Sequence, residues 1–132
     1  MALTILIVDD SRIMRNTMKS IFAKMRIACE FVEADDGTEA LAQLETNSVG
    51  LVLLDWNMPK LSGLEFLKMV RSVEKHKTLP IIMVTSKTAR ANVIEAIQNG
   101  ATDYVTKPIN SDLFIEKLIR LPLFKGYSME NR

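Results

Sequence analysis

Apolar residues in this chain follow two rhythms that take turns. Short continuous runs stand at Ile5-Leu6-Ile7-Val8, Leu51-Val52-Leu53-Leu54 and Ile81-Ile82-Met83-Val84. Runs of this length without polar alternation predict strands buried on both faces. Two further runs, at residues 31–34 and 103–105, are mixed with the charges of Glu33 and Asp103, as strands at a sheet edge would be. Between the runs the apolar spacing changes to threes and fours. Ile13, Met14, Thr17, Met18, Ile21, Phe22 and Met25 predict the buried stripe of a helix over 11–25, with Ser11 as its N-cap. Asp35-Asp36-Gly37 reads as a turn, after which Thr38 opens a helix carrying Ala40, Leu41 and Leu44 inward. Leu64, Phe66, Leu67 and Val70 predict a helix over 63–73, followed by a charged surface loop at 74–77. A fourth helix over 89–99 stops at Gly100, and a fifth, capped by Asn110 or Ser111, runs to Arg120 before Pro122.

Strand and helix alternate along the whole chain with no repeat or linker, which predicts a parallel sheet with helices on both faces. Burial also orders the strands. The first, third and fourth are continuously apolar and belong inside; the second and fifth are mixed and belong at the edges. The order 2-1-3-4-5 satisfies this, giving an α/β fold of the flavodoxin-like, doubly wound (βα)5 kind. Residues 1–122 are expected to form one domain, and the tail over 123–132, with Gly126 and polar residues, is expected to fray.

In such sheets ligands bind beyond the carboxyl ends of the strands, at the switch point between the first and third. Those ends carry the polar residues that matter here. Asp9 and Asp10 follow the first strand, Asp55 the third, Thr85 the fourth and Lys107 the fifth. Carboxylates gathered in one crevice repel one another unless a cation joins them. Oxygen-only donors suit Mg²⁺, and with no His or Cys nearby zinc is disfavoured. The Thr85 hydroxyl and the Lys107 ammonium complete a pocket suited to a phosphoryl group. Asp55 is the most central carboxylate and the natural nucleophile, because a carboxylate needs no base at neutral pH and aspartyl phosphates are known covalent species. This residue chemistry leaves open whether the site serves turnover or signalling.

Composition narrows the classes of partner. The net charge of +1 gives no bulk attraction to nucleic acid or to a membrane surface. The single cysteine, Cys29, cannot form an internal disulfide and reads as a small core hydrophobe, so a reducing compartment is the simplest setting. No run reaches the length of a membrane span, and the first residues enter a strand without a basic, cleavable leader. A cytoplasmic protein is expected. His76, flanked by two lysines, reads as a solvated loop residue and not as a phosphate relay.

Asp9-Asp10, Asp55-Trp56-Asn57-Met58-Pro59, Thr85-Ser86 and Lys107-Pro108, at these spacings, resemble the receiver domains of two-component response regulators. The likeness covers residues 3–120. The Asp-Trp-Asn-Met-Pro run, with Tyr104 three residues before Lys107, is most similar to the single-domain chemotaxis regulators of that family. The resemblance implies a phosphorylation-activated switch in which Asp55 accepts a phosphoryl group from a histidine kinase. Asp10 and Asp55 would ligate Mg²⁺ with the backbone carbonyl of Asn57, and Asp9 would act mainly through water. Lys107 would contact a phosphoryl oxygen, and its bond to Pro108 would be cis. Thr85 would move toward the phosphoryl and Tyr104 would swing inward. The face made by the fourth helix, fifth strand and fifth helix would shift, and the target would read that shift. In chemotaxis that target is the flagellar motor switch, and a phosphatase is a further partner. Apart from self-catalysed phosphoryl transfer to Asp55 and hydrolysis from it, no enzyme activity is implied.

Two positions depart from the chemotaxis pattern. Lys87 stands where an acidic residue is expected, at a position that in this family tunes dephosphorylation and phosphatase docking, and Ser86 replaces the commoner alanine. Three rival readings share the fold or the pocket. A phosphorelay shuttle would pass the phosphoryl from Asp55 to a histidine of another protein. A Mg²⁺-dependent aspartyl-phosphate phosphohydrolase would need a second acid two residues after the nucleophile, where this chain has Asn57, and a cap domain. A flavin-binding protein would need a loop after the first strand that welcomes phosphate, whereas here that loop is acidic.

Overall fold

The structure is a computed structural model that describes residues 2–127. In chain order its elements are β1 (Leu3–Val8), α1 (Arg12–Met25), β2 (Cys29–Ala34), α2 (Gly37–Thr46), β3 (Leu51–Leu54) and α3 (Gly63–Arg71). They continue with β4 (Ile81–Thr85), α4 (Arg90–Gln98), β5 (Asp103–Thr106) and α5 (Ser111–Ile119), and single 3₁₀ turns lie at Glu74–His76 and Pro122–Phe124. The strands form one sheet in the order β2-β1-β3-β4-β5, with every pairing parallel. This is the order expected from the burial of the strands.

The apolar runs are continuous because both sheet faces are covered. Along β1, Ile5 and Ile7 pack with Met18, Phe22 and Phe114 from α1 and α5. The alternate residues, Leu6 and Val8, pack on the other side with Ala40, Phe66, Leu67 and Ala96 from α2, α3 and α4. The same alternation divides Leu51 and Leu53 from Val52 and Leu54. A one-residue slip would exchange the two cores, so packing locks the register of the site-bearing strand ends.

Local signals start the helices where the site needs them. The Ser11 hydroxyl accepts from the Met14 N–H at 3.2 Å and opens α1 directly after the Asp9-Asp10 pair. Ser62 and Glu65 form a reciprocal capping box that opens α3 at the far end of the loop following Asp55. Asn110, one of two candidates, caps α5 by accepting from the Leu113 N–H. Asp36 is the N-cap of α2, which therefore begins one residue before Thr38.

Several expectations need correction. Ile13 is not on the buried stripe of α1 but is 78% exposed. Nine residues, about two and a half helical turns, separate it from the buried Phe22 and turn it to the opposite side of the helix, whereas Met14 beside it packs on the core. Helix α3 ends at Arg71, and the exposed Val73 lies past it. The chain after Leu123 does not fray at once. Phe124 is buried against the α1/α5 core and the Tyr127 hydroxyl donates to the Met25 carbonyl at 2.9 Å. Phe124 ends the apolar run Leu121-Pro122-Leu123-Phe124, and Tyr127 adds a second aromatic anchor three residues on. The rest of the expected tail, residues 128–132, lies outside the described residues. Cys29 opens β2 half-buried beside the α1/α5 core, and burial raises its thiol pKa.

Candidate functional site

Asp9, Asp55 and Lys107 each sit one step beyond a strand, held there by a continuation of the parallel ladder. The Asp9 N–H donates to the Ala34 carbonyl at 3.1 Å, the Asp55 N–H to Val8 at 2.9 Å, and the Lys107 N–H to Thr85 at 2.9 Å. These bonds belong to the backbone, so the side chains are free to converge above the sheet. Side-chain oxygens of Asp9, Asp10 and Asp55 all come within 4.8 Å of one another.

The three carboxylates have different environments. Asp9 is fully buried, with Oδ1 accepting from the Ser11 N–H at 2.9 Å and Oδ2 paired with Lys107 Nζ at 2.8 Å. Arg15, from α1, donates through Nη1 to the Asp9 carbonyl at 2.7 Å and through Nε to Glu33 at 2.9 Å. Asp55 is buried as well. Its Oδ1 accepts from the Trp56 N–H at 2.7 Å, and its Oδ2 lies 3.1 Å from Lys107 Nζ. Asp10 is exposed and makes no ion pair with any described residue. One ammonium thus faces three carboxylates, which leaves a negative excess at the mouth of the crevice. Burial by itself would lower the Lys107 pKa. The hydrogen bond that the ammonium donates to Asp9 and the charge of Asp55 outweigh it and raise the ammonium above the ordinary lysine value.

The remaining strand ends complete the set. Thr85 is fully buried at the end of β4, and its Oγ1 accepts from the Lys87 N–H at 3.3 Å. Tyr104, on β5, is 5% exposed, and its hydroxyl donates to the Lys87 carbonyl at 2.6 Å. Burial, then the charge of Asp55, raises the pKa of the Tyr104 phenol, so it remains a donor at neutral pH. Asn57 is exposed in the loop after β3, and the Lys107–Pro108 peptide is cis. The structure therefore brings Asp9, Asp10, Asp55 and Lys107 into one cluster. Thr85 and Tyr104 stand beside it, both bonded to the backbone of Lys87.

Sequence reasoning missed two contributors, Arg15 and the close approach at Gly63, and singled out Lys87 without finding its contact. Arg15 braces Asp9 from outside the apolar stripe and carries no motif of its own. Gly63 must be a glycine, because a Cβ there would run into the Asp55 carbonyl. Lys87 places its ammonium 5.5 Å from the centre of the Trp56 ring. Of these, Gly63 offered the clearest signal, as a small residue opening a helix shortly after the central strand.

Residues 5–119 match the response regulator receiver domain family, and the chain belongs to it. Among relatives, the chemotaxis protein CheY of Pseudomonas aeruginosa is 39% identical over 117 residues, a span of 89% of this chain and 94% of that one. Among solved structures, Vibrio cholerae CheY4 superposes with a TM-score of 0.81 at 32% identity, covering 91% of this chain and 98% of that one. The Mn²⁺-bound form of response regulator Rcp1 superposes at 0.79 with 26% identity, covering 96% and 97%. The protein is thus a CheY-like receiver domain of two-component signalling, a phosphorylation-dependent switch and not a turnover enzyme. No helix among the described residues is long and apolar enough to cross a membrane.

Proposed function

We propose that Asp55 is the phosphoryl acceptor of this switch and that the phosphorylated form docks on a target in chemotaxis, the flagellar motor switch. The observation that carries the reading is the division of labour at the Asp55 carboxylate. Oδ1 is pinned by the Trp56 N–H while Oδ2 faces the Lys107 ammonium. In the transfer step, a carboxylate oxygen of Asp55 attacks the phosphorus of a histidine kinase's phosphohistidine. The new P–O bond forms as the P–N bond breaks, and the bonding pair returns to the imidazole nitrogen. Lys107 neutralises charge on the phosphoryl oxygens, and Thr85 donates its hydroxyl to one of them.

The donor set fits Mg²⁺. It is made of oxygen only, has a negative excess and includes the exposed carboxylate of Asp10. Asp10, Asp55 and the Asn57 carbonyl would hold the ion, with Asp9 acting through water. When bound, Mg²⁺ would supply charge neutralisation between the carboxylates and the phosphoryl oxygens.

For output, Tyr104 and the surface of α4, β5 and α5 form the docking face. A cleft there is lined by Val93, Ile97, Tyr104, Val105, Leu113 and Lys117, with Ile97 and Leu113 exposed. Hydrolysis of the phosphoryl, alone or with a phosphatase, returns the switch to rest.

Trp56 is the chain's single tryptophan and adjoins Asp55, so its fluorescence tests the reading directly. Titration with Mg²⁺, then with acetyl phosphate or beryllofluoride, is expected to give two successive saturable changes, the second lost in Asp55→Asn. A second change that survives in Asp55→Asn would refute the acceptor assignment.

A further inference from the structure

Lys87 joins three parts of the site that lie on different strands. Its N–H donates to Thr85 Oγ1, its carbonyl accepts from the Tyr104 hydroxyl, and its ammonium lies over the Trp56 ring. Trp56 is itself nearly buried, and its N–H holds Asp55 Oδ1. The segment carrying Lys87 has few other anchors. Ser86, Thr88 and Ala89 are exposed, the N-cap of α4 has no side-chain hydrogen bond, and Ala96 is the one buried residue of that helix.

We propose that the Lys87 ammonium and the Trp56 indole form a latch that positions Thr85 and Tyr104 for the phosphoryl switch. Lys87 acts here as a positioning residue, and the proposal rests on Asp55 being the phosphoryl acceptor. A cation over an indole face is attracted by the ring's quadrupole, so the contact fixes the loop after β4 against the end of β3. With the loop fixed, the Lys87 N–H occupies an acceptor site of Thr85 Oγ1 and leaves the hydroxyl proton free to donate to a phosphoryl oxygen. The Lys87 carbonyl meanwhile holds Tyr104 in its buried position. The latch and a bound phosphoryl group favour the same loop arrangement, so by linkage each strengthens the other. The lysine that breaks the chemotaxis pattern at this position thereby gains a physical role. It preorganises the loop from outside the acidic crevice.

The test is the affinity for beryllofluoride, a stand-in for the phosphoryl group, in saturating Mg²⁺ and followed by fluorine NMR. The wild type is compared with Lys87→Met, Lys87→Arg, Trp56→Leu and the double variant Lys87→Met/Trp56→Leu. Lys87→Met and Trp56→Leu are each expected to bind about two- to five-fold more weakly, the worth of one cation–π contact. The double variant should be no weaker than either single one. Lys87→Arg should bind like the wild type, since a guanidinium stacks on an indole at least as well as an ammonium. If Trp56→Leu binds as tightly as the wild type, Lys87 acts through its charge alone and the latch is refuted. Additive losses in the double variant refute it too. A wild-type chain that takes up no beryllofluoride overturns the acceptor reading itself, a result visible before any variant is made.

Discussion

Lys107 Nζ lies 3.1 Å from Asp55 Oδ2 although 52 residues of chain separate them. The same ammonium is 2.8 Å from Asp9, so one cation at the end of β5 balances carboxylates at the ends of β1 and β3. Lys107→Met would leave two buried carboxylates facing Asp10 with no counter-charge. The expected loss is about 2–3 kcal/mol, below the range for a fully buried pair because Lys107 is partly exposed. Urea unfolding in a chelator should show this loss. It should shrink in saturating Mg²⁺, which restores positive charge to the crevice.

The approach of α3 to the site loop sets a second expectation. A Cβ on Gly63 would meet the Asp55 carbonyl, which is backbone and can yield only by shifting the chain at Asp55, whereas one on Gly50 would meet the end of the flexible Leu3 side chain. Gly63→Ala should therefore cost about 2–3 kcal/mol and also weaken beryllofluoride binding, because relief of the clash displaces Asp55. Gly50→Ala should cost less and leave that binding unchanged. Thermal melts and the fluorine signal measure both.

The C-terminal turn belongs to the folded unit. Phe124 packs with Leu118, Leu121 and Phe22 in the core under α1 and α5. Phe124→Ala is expected to destabilise the protein by about 3 kcal/mol, as truncation of a buried aromatic does. Chemical denaturation would reveal it, and a cost below about 1 kcal/mol would return the tail to the frayed role first expected of it.

An acid-dependent contribution comes from Glu33 on β2. Lys19 Nζ reaches it at 2.7 Å and Arg15 Nε at 2.9 Å. The Lys19 hydrogen bond lowers the Glu33 pKa, burial opposes this, and Arg15 adds to the lowering. A carboxylate whose folded-state pKa is depressed stabilises the fold above its unfolded-state value, and the gain is lost as pH falls through the folded-state value. Glu33→Gln should accordingly be less stable than the wild type at neutral pH. Since Glu33 is about a third exposed, the difference should stay under about 1 kcal/mol and vanish in acid. Urea midpoints between neutral pH and pH 3 would trace it.

How legible the chain was differs from element to element. The strand order could be read because apolar continuity is a direct consequence of burial on both faces, and Val52 or Met83 could stand nowhere but inside. The polar residues of the site could be found because each ends a strand, where the chemistry of such sheets collects. Ile13 misled because a loose count of threes and fours admitted a residue that stands about half a turn from Phe22 around the helix. Phe124 misled because Pro122 and Gly126 signal a break in the chain, although the run Leu121-Pro122-Leu123-Phe124 is apolar and folds back onto the core.

By itself, then, the sequence determined the alternation of elements, the edge and centre of the sheet, and the set of carboxylate, hydroxyl and ammonium groups at the strand ends. Those depend on local patterns of burial, capping and turn chemistry. Only the tertiary structure decided how the groups are shared. It paired Lys107 with Asp9 and Asp55 and left Asp10 without an ion pair among the described residues. It braced Asp9 with Arg15, and it tied Thr85, Tyr104 and Trp56 together at Lys87. The physical reason is distance along the chain. Most of these contacts join residues far apart in sequence, 98 positions for Lys107 with Asp9 and 52 for Lys107 with Asp55. Even the short-range ones, Arg15 with Asp9 and Lys87 with Thr85, take a geometry set by the register and packing of the whole sheet.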